Sequence, residues 1–189
     1  APWCAYRKNI VDVVIENGVT EIGSYTFAFL NNLINVEIPN SVTEIGGYAF
    51  NDCANLTEIN IPNSVTEIGW YTFMDCSNLK AINIEEGNPN YNSIDGVLVN
   101  NEETTLIYYP EAHGEVYDIP DGVITIEDES FSGCTKLTNI NISESVQHIG
   151  NYAFYGCGNL VEVNIPSGVT KIGESAFGDC TSLNAINVE

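Results

Sequence analysis

The nine residues IPNSVTEIG occupy positions 38–46 and recur unchanged at 61–69. No other feature constrains the chain so tightly, because a fixed period commits a sequence to stacked copies of one supersecondary unit. Aligning the chain on itself extends the pattern well past those nine residues. An apolar residue opens each unit at Ile15, Ile38, Ile61, Ile84, Ile119, Ile142, Ile165 and Val188, with spacings of 23, 23, 23, 35, 23, 23 and 23 residues. One unit therefore carries 12 extra residues. Counted from that residue, every regular unit has Val at its fifth position, Ile at its eighth, Phe at its thirteenth and Leu at its nineteenth. Agreement at apolar positions with free variation between them marks a stacked core whose units touch only their neighbours.

The pattern predicts a solenoid of α/β class, mainly β, with a parallel sheet on one face, short second strands and short helical turns. Residues 1–14 read as an N-terminal partial repeat and 15–83 as three regular repeats. Residues 84–118 form the irregular 35-residue repeat, and 119–189 give three regular repeats and a final strand, all in one solenoid domain. A hydrophobic content of 44% fits a packed chain rather than a disordered one.

Residues 56–61, LTEINI, alternate apolar and polar side chains as a half-buried strand does. Their equivalents at 33–38, 79–84, 137–142, 160–165 and 183–188 would stack at about 4.8 Å into the parallel sheet. Pro39, Pro62, Pro120 and Pro166 follow the strand, where a residue without an N–H stops the ladder. Val42–Ile45 reads as a second short strand. Gly23, Gly46, Gly69, Gly150 and Gly173 close it, a column expected to need positive φ, and Glu127 in the same column predicts a distorted turn. GYAFNDCAN then reads as a short helical turn dropping Phe50 and Cys53 into the core. In the irregular unit, GVLVN and TTLIYYP flank NEE, which predicts a β-hairpin over 96–108 projecting from the edge of the stack.

At this point the residues resemble a known family. The pattern I-P-x-S-V-T-x-I-G-x-x-A-F-x-x-C-x-x-L-x-x-I-x is similar to the BspA-like class of leucine-rich repeats over residues 10–189, and DGVLVNNEETTLIYYP resembles a variant unit of that class. The resemblance implies a secreted or surface-attached protein of bacteria or protists. It implies an extracellular or cell-surface module for adhesion or recognition, and it carries over no catalytic residue.

The six cysteines invite a disulfide framework, but Cys53, Cys76, Cys134, Cys157 and Cys180 share the sixteenth position of their units, where the first unit has Leu30. A slot that accepts leucine is a buried one, so these read as a ladder of thiols acting as small hydrophobes. Close paired spacing of metal ligands is missing, so no metal site is expected. Cys4, beside Trp3, is the one candidate reactive thiol. Only two histidines are available as bases: His113 lies near Glu111 and Glu115, and His148 sits in a column that also holds Glu21, Glu44, Glu67 and Lys171. A column tolerant of either charge is a solvated one. With 26 acidic residues any one carboxylate pair is uninformative, and no glycine-rich phosphate loop occurs, so neither catalysis nor a cofactor is expected.

A formal charge of −21 with five Lys and Arg argues against nucleic acid as a partner. No apolar run approaches the roughly 18 residues of a membrane-spanning helix, so membrane insertion is not expected. The column Glu21, Glu44, Glu67 would place like charges about 5 Å apart; the expectation is solvated glutamates rather than a calcium site, for want of a ligand loop.

On the long strand, outward residues form two rows. One is Glu37, Asn60, Asn83, Asp118, Asn141, Asn164 and Asn187; the other is Asn35, Glu58, Ala81, Asn139, Glu162 and Ala185. Asn60, Asn83, Asn141, Asn164, Asn187, Glu58 and Glu162 are the candidate ligand-binding residues, since amides and carboxylates can serve protein backbones or sugar hydroxyls. A self-satisfied amide ladder is the alternative. Tyr25, Tyr48, Tyr71 and Tyr152, with Trp70 adjacent, form a rival aromatic stripe, whose expected place is partly buried over the Phe stack. The functional expectation is a non-catalytic extracellular or cell-surface recognition or adhesion module for a protein or glycan. The alternative is a spacer or targeting array of a longer secreted enzyme. A chain that stops on a strand with no polar cap predicts a longer native chain or end-to-end self-association through that strand.

Overall fold

The structure, a computed structural model, describes residues 2–189, with side chains from residue 5 onward. It divides into two compact units, one reaching to Gly96 and one running from Val97 to Glu189. Each is a β-solenoid. No described helix is long and apolar enough to cross a membrane.

The first unit opens with a 3-10 helix, Pro2–Asn9, and then repeats one coil. Long strands Asp12–Val14, Asn35–Glu37, Glu58–Ile61 and Ala81–Ile84 recur every 23 residues. They pair in parallel register, Val13 with Val36 and Ile59 with Ile82. Short strands Glu21–Ile22, Glu44–Ile45 and Glu67–Ile68 build a second parallel ladder. Inside, Phe27, Phe50 and Phe73 stack with centroids 5.5 and 6.0 Å apart. The Sγ of Cys53 donates to the carbonyl of Phe27 at 3.3 Å, and that of Cys76 to Phe50 at 3.1 Å.

The segment between the short strand and the next long one is not helical. Tyr48, Phe50 and Asp52 donate their N–H groups to the following coil, to the carbonyls of Trp70, Thr72 and Met74 at 3.1, 2.9 and 2.8 Å. The intervening Ala49, Asn51 and Cys53 donate back three residues, to Gly46, Tyr48 and Phe50, each at 3.2 Å. Alternate residues thus serve the neighbouring coil and the local turn, so each N–H from Tyr48 to Cys53 has a partner, as a buried backbone requires. Two residues per coil are left-handed. The eleventh position has φ of 58, 59, 59, 59, 54 and 49° at Tyr25, Tyr48, Tyr71, Glu129, Tyr152 and Ser175. The fifteenth is left-handed too, at Phe29, Asp52, Asp75, Gly133, Gly156 and Asp179.

The glycine column two residues ahead of these tyrosines is therefore not kept for positive φ, which corrects the expectation from sequence. A Cβ on Gly69 would lie 2.3 Å from the backbone nitrogen of Gly47, and one on Gly46 would lie 2.6 Å from that of Ser24. Gly150 and Gly173 are crowded in the same way, at 2.5 and 2.4 Å from the nitrogens of Asp128 and Asn151. What glycine provides is close approach of one coil to the next. Glu127 escapes this because the coil beneath it is two residues shorter. Tyr109 donates its N–H to Ser130 as Phe27 does to Ala49, and Glu127 donates to Leu106 as Gly46 does to Ile22. Only Ile107 and Tyr108 then fill the place of residues 23–26. The turn at Glu127 is accordingly regular, with Glu129 at φ 59°.

Asn88, buried at the start of the irregular segment, was not singled out in the sequence. Its Nδ2 donates to the carbonyl of Val65 at 2.8 Å, and its Oδ1 accepts the N–H groups of Asn90 and Tyr91 at 2.9 Å each. That pins strand Tyr91–Ile94, whose Tyr91 hydroxyl accepts the N–H of Ile68 at 3.1 Å.

In the second unit, long strands Val116–Asp118, Asn139–Asn141, Glu162–Ile165 and Ala185–Val188 keep the 23-residue spacing. Short strands Thr125–Ile126, His148–Ile149 and Lys171–Ile172 again pair in parallel. The hairpin is present, Val97–Asn100 against Thr105–Tyr108 with Leu106 opposite Val99. It does not project from the edge. Its second strand pairs in parallel with Thr125–Ile126, and Val97, Leu98, Val99 and Leu106 are buried. Four apolar side chains on a short hairpin are enough to draw it into the ladder. The Asn100 Oδ1 accepts both the Thr104 and Thr105 N–H groups at 2.8 Å and closes its turn. Buried Tyr109 takes the phenylalanine place in the core, 4.7 Å from Phe131, which in turn lies 4.7 Å from Phe154.

The thiol ladder has a consequence at high pH. Burial pushes the Cys53 thiol up to about 12 and the Cys134 thiol well above its ordinary range. An unfolded thiol ionises near 8.5. Because the folded values are raised, the stability these groups contribute is complete below about pH 8.5 and is lost as pH climbs from there toward the folded values. We expect a loss of about 1.4 kcal/mol per pH unit per buried thiol across that window, read as a falling urea midpoint between about pH 8 and about pH 10. Cys53→Ala should flatten the slope by one thiol's share.

Candidate functional site

Alternation along the long strands decides what reaches the surface. In Glu58–Ile61 the pattern is exposed, buried, exposed, buried, so Glu58 and Asn60 face out while Ile59 and Ile61 fill the core. The same holds in Glu162–Ile165 for Glu162 and Asn164. Asn141 and Asn187 are exposed and Asn83 is half-exposed, each on the face of its own strand.

Within each unit the asparagines are linked coil to coil. Asn83 donates through Nδ2 to the Oδ1 of Asn60 at 3.0 Å. In the second unit Asn187 donates to the Oδ1 of Asn164 at 2.8 Å and to Glu162 at 2.7 Å, and Asn141 donates to the carboxylate of Asp118. Glu58 is in register with Ala81, and Glu162 with Ala185. The amide ladder foreseen as the alternative is thus built. It also orders the row: an amide such as Asn83 that spends one N–H on its neighbour presents the second in a fixed direction, while Asn187 spends both of its own on Asn164 and Glu162.

The aromatic stripe is half-buried at Tyr48, Tyr71 and Tyr152, as expected, and more open at Tyr25 and Trp70. Tyr25 and Tyr48 stack at 4.7 Å with 4° between ring planes, and Tyr48 and Tyr71 at 4.9 Å and 18°. Tyr25 is 55% exposed and Trp70 84%. In the second unit the stripe is broken and tethered: Tyr152 reaches Glu174 at 3.3 Å, and Tyr155 hydrogen-bonds Asp179. These carboxylates push both phenols above their ordinary range.

The remaining candidates have structural places. His113 packs edge-on against Tyr109 and Tyr117, with centroids 5.0 and 5.7 Å away. His148 is exposed and lies in register between Thr125 and Lys171. Glu21, Glu44 and Glu67 are register neighbours at the surface. Cys53, Cys76, Cys134 and Cys157 are buried and Cys180 is half-buried, all free thiols. The side chain of Cys4 lies outside the described residues. An apolar groove of about 620 Å³ lies over the first coil, lined by Val13, Val19, Ile22, Phe27 and Leu30 among others. Those are the columns that later coils bury, so the groove is made of core positions.

Known proteins place this geometry. A family model described as the BspA type leucine rich repeat region matches in 6 copies, over residues 3–118 and 108–189. No curated protein matches the chain. A leucine-rich repeat protein from Eubacterium ventriosum is 30% identical with a TM-score of 0.70, over 99% of this chain and 62% of that one. The pneumococcal vaccine antigen PcpA is 26% identical with a TM-score of 0.76, over 95% and 51%. A leucine rich cell surface protein from Faecalibacterium prausnitzii is 31% identical with a TM-score of 0.66, over 96% and 60%. The chain thus spans about half to three-fifths of the length of these relatives. Leucine-rich repeats of this kind are generally not catalytic, and the name of one of these relatives, a cell surface protein, suggests a surface location. By the match along nearly its whole length, this chain belongs to the BspA-type leucine-rich repeat family.

Proposed function

We propose that this chain is a non-catalytic extracellular or cell-surface recognition module that binds a protein or glycan through the outward face of its long strands. The observation that carries the reading is the ordered amide row, with Asn83 donating to Asn60 and Asn187 to Asn164. Repeated, pre-aligned donors on a rigid sheet lose little entropy on meeting a polar ligand. Glu58 and Glu162 add acceptors beside them, suited to hydroxyls or backbone N–H groups. The name of the Faecalibacterium prausnitzii relative, a cell surface protein, favours the same reading.

The test is equilibrium binding of the chain to immobilised extracellular-matrix proteins and to a glycan panel, at low and physiological salt. A saturable partner that survives physiological salt is expected, since a bond made by neutral amides is only weakly screened. Absence of binding across the panel would overturn the recognition reading and favour the alternative, a spacer or targeting array within a longer secreted protein.

A further inference from the structure

The aromatic stripe of the first unit is a second surface, separate from the long-strand face. Its stacked Tyr25, Tyr48 and Tyr71 sit on successive coils, and Trp70, 84% exposed, stands beside Tyr71. Phe29 and Met74 extend the apolar area at 43% and 36% exposure. An exposed patch of several large apolar side chains marks a place of contact. Its electrostatic setting says with what. Between Lys8 and Lys80 the sequence has no Lys, Arg or His and nine carboxylates. Glu21, Glu44 and Glu67 run as a paired row four residues ahead of the tyrosines, and Asp52 and Asp75 follow four residues behind Tyr48 and Tyr71. No cation of this stretch of chain is available to neutralise them.

We propose that this stripe binds a basic, extended segment of a partner protein, its Arg or Lys side chains meeting Trp70 and the tyrosines while the flanking carboxylates pair with the same charges. Indole is the best cation–π acceptor among side chains, and the exposed Trp70 ring, with Glu67 and Asp75 on either side of it in the chain, can serve both aspects of a guanidinium, its flat face and its N–H edge. An uncharged sugar would leave the acidic rows unmatched. The second unit lacks the arrangement: its corresponding column reads Glu129, Tyr152, Ser175, and Thr125, His148 and Lys171 stand where the first unit has its acidic row. The inference names one partner class for the recognition role proposed above and rests on that role, but not on the long-strand face.

The test titrates the intact chain with a synthetic peptide of alternating arginine and serine, beside a glutamate–serine peptide and a cello-oligosaccharide. Trp70→Ala and Tyr48→Ala leave the net charge unchanged, and an exposed Trp70 makes the first safe for folding, as an unaltered urea midpoint would verify. Saturable binding of the arginine peptide is expected, weakened about tenfold by Trp70→Ala and by Glu67→Gln but not by Glu144→Gln, an exposed carboxylate of the second unit. Equal binding by wild type and Trp70→Ala would reduce the effect to general attraction by a polyanion and overturn the proposal. Tight oligosaccharide binding that depends on Trp70 would also overturn it, in favour of a glycan. Failure of the arginine peptide to bind would sink this surface while leaving the long-strand reading to its own panel.

Discussion

Gly69→Ala is expected to destabilise the fold by about 3 kcal/mol or more, whereas Gly23→Ala, at the same position of the repeat, should move stability by no more than about 0.5 kcal/mol. Both residues close a short strand, and both lie outside the left-handed region of φ. They differ in what lies beneath. The new methyl at position 69 would meet the backbone of Gly46 and Gly47 at 2.3 to 2.7 Å, and backbone atoms locked in two ladders have no rotamer to move into. Relief would need the coils to separate, at the expense of inter-coil hydrogen bonds such as Gly69 N–H to Ile45 at 2.7 Å. At position 23 the nearest atoms are side-chain oxygens of Thr26 and Glu21, at 3.5 and 3.9 Å, which is ordinary contact. Reduced freedom of the unfolded chain even favours alanine there. Urea midpoints of the two variants measure the difference. Equal losses would mean that the column is kept for backbone conformation after all.

Phe73→Ala is expected to cost roughly 3–5 kcal/mol, while Asn83→Ala should cost about 0.5 kcal/mol. Phe73 is buried and stacked on Phe50, and its carbonyl accepts the N–H of Cys76 at 3.2 Å. Removing the ring leaves a void between layers that cannot collapse, because the coil spacing is fixed by backbone hydrogen bonds above and below. Asn83 loses only a solvent-screened amide contact with Asn60. Comparable midpoints for the two variants would mean that inside and outside have been exchanged.

The period made most of this legible before any coordinates. A residue that must stack on its own copy in every coil has little freedom, so Val42, Ile45, Phe50 and Leu56 could be placed in the core from repetition alone, and all four are buried. Alternation likewise put Asn60 and Asn83 outside. What stayed hidden depends on relations between coils rather than on residue type. The left-handed positions hold Tyr, Glu, Ser, Phe, Asp and Gly, because the inter-coil hydrogen bonds of Tyr48, Phe50 and Asp52 impose the conformation whatever the side chain. The glycine column looked like a conformational requirement because glycine serves close approach and positive φ equally well. Tyr109 was missed as the phenylalanine of its coil, since the two-residue shortening ahead of it shifts the register of the pattern. The hairpin was identified from its turn residues, but only the parallel partner at Thr125–Ile126 shows that it is laid into the ladder. The candidate site was read the same way: alternation names the outward residues and the repeat suggests an amide ladder, but which amide donates to which neighbour is visible only in the coordinates of adjacent coils.

The most direct test of the recognition reading is a single variant carrying Asn60→Lys, Asn83→Lys and Asn141→Lys. These three are outward residues of the long strands, and each takes part in the amide row as donor or acceptor. Its affinity for whichever matrix protein or glycan the wild-type chain binds should be measured beside its urea midpoint. The account predicts that binding falls by at least about a hundredfold, the result expected when bulky charges replace contact residues on the binding face of either unit, while the midpoint stays close to wild type. Full affinity in a variant that is folded and equally stable would contradict it and move recognition off the long-strand face.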